Sequence, residues 1–432
     1  RRQRQMCIRD RASISDPEGN LLFYTDGVSV MNRNHMIMPN GNSLMGNTSS
    51  TQSAIIVPWP FNPLKYFVFT THELGGIEGL RYSLVDLSLE GGLGDIATDF
   101  KNIPLYSPVR EKVAATKKAD GSGFWVLTRS SKSDSILVYE VASSGLNLVP
   151  QVFEVGNVLS LPGAEAGYMR FSSKGRFLVS ANFNENDFEL FKFNPVSGEV
   201  SEELEIETNY EPYGVEFSPN EELLYSTGIS GSIYQYDLNN WSASDISNSE
   251  IVVGTSSGSP LGALAIGPDF KIHVARLNAD FLGQIEEPNQ VGVACQYVDL
   301  AIALQGRNCK LGLPSFISST FRTDFNISDF CFGIPTKFQT DSSLLDSVYW
   351  NFGDNNSGLN DTSTAFNPTH VFTDTGHFNV ILIAKQINGE VDTSATLIYI
   401  YPRQKKGFTN NDTILCSGDS LKLNLIWNNG LS

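Results

Sequence analysis

The chain reads as an all-β protein, a six- or seven-bladed β-propeller followed by an Ig-like β-sandwich. Three observations lead there. A strand-turn-strand unit recurs at near-constant spacing through the first three hundred residues. Helical periodicity is weak throughout, with no sustained i, i+3, i+4 apolar stripe. After Phe316 the pattern changes to longer alternating strands separated by Asn/Asp/Gly turns.

The recurring unit is clearest in three copies, GYMRFSSKGRFLVSANFNENDFELFKFNPVSGEV from Gly167, YGVEFSPNEELLYSTGISGSIYQYDLNN from Tyr213, and GALAIGPDFKIHVARLNADFLGQIEEPNQVG from Gly262. Aligned on Gly167, Gly214 and Gly262 they repeat every 47 to 48 residues, the length of a propeller blade. The turns Ser173-Lys174-Gly175, Pro219-Asn220-Glu221 and Pro268-Asp269-Phe270 join paired strands, where Pro presets φ and Gly, Asn or Asp tolerates tight curvature. Looser copies begin at Ser13, Gln52 and Val113, making six units. One such meander buries one face at best, whereas a ring of them buries both and leaves only short edges. Residues 12–318 are therefore expected to close as one ring of four-stranded sheets.

Residues 324–402 carry SVYWNFGDNNSG and then NPTHVFTDTGHFNVILIA. Alternation puts Val348, Trp350 and Phe352 on one face and Phe378, Val380 and Leu382 on another, which suits two facing sheets. This stretch resembles the PKD domain, marked by W-x-F-G-D and a later H-x-F-x-x-x-G-x-Y-x-V. Trp350, Phe352, Gly353, Asp354, His370, Phe372, Gly376 and Val380 match, and Phe378 stands where that family has Tyr. The resemblance implies a PKD-type Ig-like sandwich. Residues 403–432, with NNDTILCSGDSLKLNLIWNNG, read as the truncated start of a further Ig-like module, expected to pack poorly without its remaining strands. Residues 1–11, containing MCIRDR, resemble translated sequencing-adapter sequence and are set aside as a non-native leader.

Composition narrows the function. With 47 acidic against 30 basic residues the net charge is −17, and no basic cluster follows the leader, so nucleic acid is not an expected partner. No apolar run approaches the ~18 residues of a membrane helix. His35, His72, His273, His370 and His377 are scattered, no G-x-S-x-G nucleophile context occurs, and no Cys/His spacing suggests a metal; catalytic residues, cofactor and metal are all expected to be absent. Asp16-Pro17-Glu18-Gly19 is an imperfect Asp-box and Asp354-Asn355-Asn356 a weak cation loop; turn chemistry explains both more simply. Trp59, Phe61 and Tyr66 suit sugar stacking, but core packing is their simpler role.

The stretch from Ile14 to Pro60, with YSLVDLSLEGGLGD and the YGVEFSPN blade, is similar to large surface proteins of Bacteroidetes in which a propeller precedes PKD or Ig-like modules. That resemblance implies export by the type nine secretion system, as in gliding-motility-associated proteins, and an extracellular or cell-surface location. The expected function is binding or adhesion, the propeller serving as interaction platform and the sandwich as spacer, with a surface glycan or another surface protein as partner. The rival is a propeller glycosidase or sialidase, which needs carboxylates and arginines gathered in one central pocket.

Candidate ligand-binding residues follow from the blade register. Arg170 and Glu216 hold equivalent positions in consecutive blades and should pair across the boundary, while the next blade carries Ala265. Asp26, in Thr25-Asp26-Gly27, and Gln52, in Ser50-Thr51-Gln52-Ser53, lie in polar runs that either cap a blade or line a rim. Cys295 and Cys309 flank the strand from Tyr297 to Leu304 and are expected to form a disulfide in an exported protein.

Overall fold

The computed structural model describes residues 12–16, 19–267, 269–317, 325–340, 345–386 and 391–402. The expected leader and the whole of the expected further module lie outside them. The chain divides into two compact units, Arg1–Thr320 and Phe321–Ser432.

The first unit is an all-β propeller. Its described residues hold six antiparallel sheets, each built from consecutive strands. The first strands of the six, Ala12–Ser15, Ala54–Trp59, Val109–Lys117, Met169–Phe171, Pro212–Phe217 and Leu261–Ile266, contact one another in succession and form the inner wall. Residues 309–315 join the ends of the ring. Ala263 N donates to Leu311 O at 2.7 Å on the sixth blade, and Ser315 bridges in parallel to Ala12 on the first.

Blades four, five and six have the expected four strands, and the first has three. The second and third have five, because two short strands share the edge of one long strand. In the second blade Asp95–Ile96 and Ile103–Tyr106 both pair with Leu80–Asp86; in the third Gly145–Leu146 and Gln151–Glu154 both pair with Ser135–Ala142.

Each blade buries both faces, which explains the near-continuous apolar strands. One face of the fourth blade, with Met169, Phe171, Leu178 and Phe191, packs on Trp125, Leu127, Ile136 and Val138 of the third. Its other face, with Val179, Ala181, Phe188 and Leu190, packs on Tyr213, Val215, Phe217 and Tyr236 of the fifth. Burial of this kind stabilises by about 25 cal/mol per Å² of apolar surface and is the main force holding blade to blade.

The glycine that marks the repeat has a steric reason. A Cβ on Gly214 would stand 2.2 Å from Gly262 O, and one on Gly262 would stand 2.1 Å from Leu311 O. Inner-strand backbones approach too closely there for any side chain.

The second unit has a three-stranded sheet (Phe325–Ser328, Thr336–Thr340, Thr369–His370) and a four-stranded sheet (Thr362–Ser363, Leu345–Asn351, Gly376–Gln386, Val391–Ile400). Both contribute to one core of Phe338, Val348, Trp350, Phe352, Phe372, Val380, Leu382 and Ile398, with Phe378 packed at its margin. Asp354 is a buried junction rather than a cation ligand. Its carboxylate accepts from Thr373 N at 2.8 Å and from Thr373 Oγ1, and lies 3.0 Å from His370 Nε2. Burial raises its pKa, but the Thr373 and His370 hydrogen bonds outweigh that and hold it below the ordinary carboxylate range. The aspartate ending one strand thus fastens the segment that carries His370 and Phe372.

Candidate functional site

Among the described residues a cluster of buried charges lies between the third and fourth blades, in a place the sequence reading did not single out. The third blade's first strand opens Val109-Arg110-Glu111-Lys112, and all four residues are buried. Strand alternation sends Arg110 and Lys112 toward the fourth blade and Glu111 the other way.

On the fourth blade the partner is Glu189, with no side-chain exposure. Its carboxylate takes both Nη atoms of Arg129, the Nη2–Oε1 bond being 2.8 Å, and Arg110 Nη1 lies 3.5 Å from Oε2. Asn182 ties the layer together: its Nδ2 donates to Asp187 Oδ1 at 2.6 Å and Glu189 Oε2 at 2.7 Å, while Oδ1 accepts from Lys112 Nζ at 3.1 Å. Lys112 Nζ also donates to the Ala181 carbonyl.

The electrostatics are those of a desolvated mixed cluster. Burial and the neighbouring Arg129 bring Arg110 down to about 9, against the pull of Glu189. Lys112 is driven down strongly by burial and by Arg110 and Arg129. Burial pushes Asp187 up to about 6, and burial with the Glu189 charge pushes Glu203 up to about 7. Glu189 moves the other way, because the two guanidiniums overcome its desolvation. In composition this is the gathering of carboxylates and arginines that a glycosidase needs. In access it is not, since Arg110, Lys112, Arg129 and Glu189 are fully enclosed.

What Glu189 in the layer and Glu111, on the opposite face of the third blade, do hold is loop backbone. Glu111 Oε1 accepts from Leu74 N at 2.9 Å, and Glu189 Oε1 accepts from Asn157 N at 2.7 Å. Two loops, 73–79 of the second blade and 155–166 before the fourth, are thereby pinned at the end of the ring. They are neighbours, since a Cβ on Gly75 would meet Ser131 Oγ at 2.9 Å and Glu165 Oε1 at 3.6 Å. Between them they expose Leu74 by 60%, Ile77 by 87%, Val158 by 61% and Leu161 by 49%.

Arg170 and Glu216 stand on the first strands of the fourth and fifth blades, as the register requires, with Arg170 Nε 3.7 Å from Glu216 Oε2. Both are buried, Arg170 lies over the Tyr168 ring, and Ala265 follows on the sixth blade. The charged layer and this pair sit on different blade boundaries.

Gln52 is fully buried, and its amide is spent on backbone: Nε2 donates to Val113 O and Met169 O, both at 3.1 Å, and Oε1 accepts from Met169 N at 2.7 Å. It is a clamp, not a rim residue. Asp26 closes its own turn, accepting from Val28 N at 3.0 Å and Ser29 N at 2.7 Å. The Cys295–Cys309 disulfide is absent, and both residues are buried thiols. Cys295 packs in the outer core with Tyr225 and Val253, whereas Cys309 packs with Leu311 and Ala263. The strand Tyr297–Ala303 between them spans roughly 20 Å at ~3.3 Å per residue, and the residues before it and beyond it pack in different cores.

One consequence is a pH dependence of stability. Burial pushes the Glu216 carboxyl up to about 7 against the pull of Arg170 and of the Phe217 and Ile266 amides. An unfolded glutamate titrates near ~4.3, so the folded chain holds this proton more tightly; the stabilisation is full below that pH and is lost as pH rises toward 7. Asp187 and Glu203 act in the same sense. Glu216→Gln is expected to remove on the order of 2 kcal/mol of the stability change between pH 4.5 and 7.5, read as a shallower dependence of the urea midpoint. Identical pH profiles for variant and wild type would show that the carboxyl does not titrate in this window.

No protein-family model matches the chain, and no curated protein matches it. Among solved structures it is similar to a protein assigned as a 6-phosphogluconolactonase from Bacteroides uniformis, at 12% identity over 90% of this chain and 95% of that one, TM-score 0.42. It is also similar to the periplasmic gluconolactonase PpgL of Pseudomonas aeruginosa, at 14% identity over 88% and 94%, TM-score 0.40. The PKD1 domain of Vibrio anguillarum Epp matches at 19% identity over 18% of this chain and 90% of that domain, TM-score 0.16. None of these likenesses carries an activity to this chain. Among the described residues no helix is long and apolar enough to cross a membrane, and no three His, Cys, Asp or Glu side chains group as a metal site.

Proposed function

We propose that the chain is an extracellular binding protein of the Bacteroidetes surface type, exported by the type nine route, with the propeller as recognition platform and the PKD-type sandwich as spacer. One observation supports the reading: the buried carboxylates Glu189 and Glu111, at opposite faces of the third blade, are spent on fixing two loops whose exposed tips are apolar. A glycosidase presents its carboxylates to solvent and substrate. Here Glu189 and Glu111 face backbone amides instead, and Leu74, Ile77, Val158 and Leu161 face outward on a rigid base. Exposed apolar side chains on an anchored frame suit a protein or glycan surface.

The full chain on a glycan array and against isolated outer-surface proteins is expected to bind saturably, and Ile77→Lys with Val158→Lys is expected to weaken that binding about tenfold or more. A parallel panel of aryl glycosides and polysaccharides should show no turnover. Turnover that disappears in Glu189→Gln would instead establish the glycosidase.

A further inference from the structure

Loop 156–163 lies over the charged layer, and among the described residues its backbone is tied to the blades by side chains alone. Gly156 N donates to Glu203 Oε2 at 2.9 Å, Asn157 N donates to Glu189 Oε1 at 2.7 Å, and Asn157 O accepts from Arg110 Nη2. Farther along, Ser160 N and Leu161 N both donate to Glu185 Oε1, and Pro162 O accepts from Asn184 Nδ2 at 2.6 Å. Gly156 and Gly163 bracket the segment at φ of 102° and 85°, conformations that favour glycine. Val158 and Leu161 are exposed, so little apolar burial holds the loop down, and segments held in that way open at low cost.

The contacts of Asn157 have a particular chemistry. Its N–H meets a carboxylate and its C=O meets a guanidinium, and the two groups are joined through a single Cα. A free α-amino acid has the same frame, with an ammonium in place of the N–H and a carboxylate in place of the C=O. Charged pairs of that kind bond about twice as strongly as amides do. The surroundings have unused capacity for them, since Glu203 Oε1 is buried with no donor and Arg129 Nε with no acceptor. The loop is seated directly against the charges: a Cβ on Gly156 would stand 2.5 Å from Arg129 Nη2 and 2.8 Å from Glu189 Oε1.

We propose that the boundary between the third and fourth blades is a binding site for a free α-amino acid, kept closed by loop 156–163, whose Asn157 fills it as a tethered substitute. The ligand's ammonium replaces the Gly156 and Asn157 N–H groups at Glu203 and Glu189, and its carboxylate replaces the Asn157 carbonyl at Arg110. The tether gives Asn157 a high effective concentration, so a free amino acid competes through its full charges and through whatever loosens the loop. This site and the recognition surface are separate: one takes a small zwitterion beneath the loop, the other a macromolecule on its outside.

Titration calorimetry of the full chain with L-asparagine, the residue that the loop itself supplies, should show saturable binding. Glu185→Ala, which releases Ser160 and Leu161 without touching the site, should tighten that binding about fivefold or more. Asparagine methyl ester lacks the carboxylate, N-acetylasparagine lacks the ammonium, and β-alanine lengthens the frame by one methylene; each should bind about tenfold more weakly or worse. Saturating L-asparagine should also speed hydrogen exchange of the amides at 156–161, because the loop leaves its anchors, whereas a purely structural layer would leave that exchange unchanged. No saturable heat in either protein, equal binding of the blocked compounds, or unchanged exchange at saturation would overturn the site.

Discussion

Glu189→Ala is expected to cost about 3 to 5 kcal/mol of unfolding free energy, the range for breaking a buried ion pair from one side. The carboxylate is the only one paired by both Arg129 and Arg110 among the described ion pairs, and it also accepts from Asn182 and Asn157. Its removal strands two guanidiniums where no water reaches, and each unsatisfied charged donor adds its own desolvation cost. The loss should be far smaller when the cations go too. Arg110→Met, Arg129→Met and Glu189→Met combined is expected to recover most of the stability, since similar volume packs the space without charge to solvate. Urea unfolding of the single and triple variants decides the matter; a Glu189→Ala loss under 1 kcal/mol would mean that the layer is hydrated.

Gly262→Ala is expected to be comparably damaging for a purely steric reason. The added methyl would stand 2.1 Å from Leu311 O and 2.7 Å from Leu311 C and Cα, all backbone atoms with no rotamer to yield. Ala263 N to Leu311 O is also the bond through which residues 309–315 lie along the sixth blade, so moving either backbone opens the ring at its seam. A loss of about 3 kcal/mol or more follows, toward the upper end for overpacking, accompanied by a fall in protection from proteolysis at residues 305–317. A variant with wild-type thermal stability would show that the seam has slack.

Particular residues show where the sequence was legible. Gly167, Gly214 and Gly262 announced three of the blades because each has backbone too close for a side chain: Ala181 O in its own blade for Gly167, and the next segment of the inner wall for Gly214 and Gly262. Trp350, Asp354, His370 and Phe372 announced the second unit's core because they touch one another, so their spacing is fixed by contact. The charged layer was not legible in the same way. Arg129 and Glu189 are 60 positions apart and Arg110 and Asn182 are 72 apart, and which charges meet depends on the packing of one blade on the next. A local signal did exist: Arg110-Glu111-Lys112 interrupts a strand of otherwise buried composition, and three charges there must find partners. The polar run at Gln52 read equally as a blade cap or a rim, because a side chain that spends both its amide atoms on backbone is indistinguishable in sequence from one that waits for a ligand.

Gln52 has one more implication. It belongs to the second blade, yet it reaches past the third to the backbone of Met169 in the fourth, and Thr51 Oγ1 beside it accepts from Gly167 N at 3.2 Å. Those bonds span 117 and 116 positions and cannot form until three blades are in place. A repeat protein held only by nearest-neighbour contacts unravels one unit at a time. This one has a bolt across three units, so the second, third and fourth blades should melt together in native-state hydrogen exchange, and a nascent chain ending in the third blade has no finished hub to assemble around.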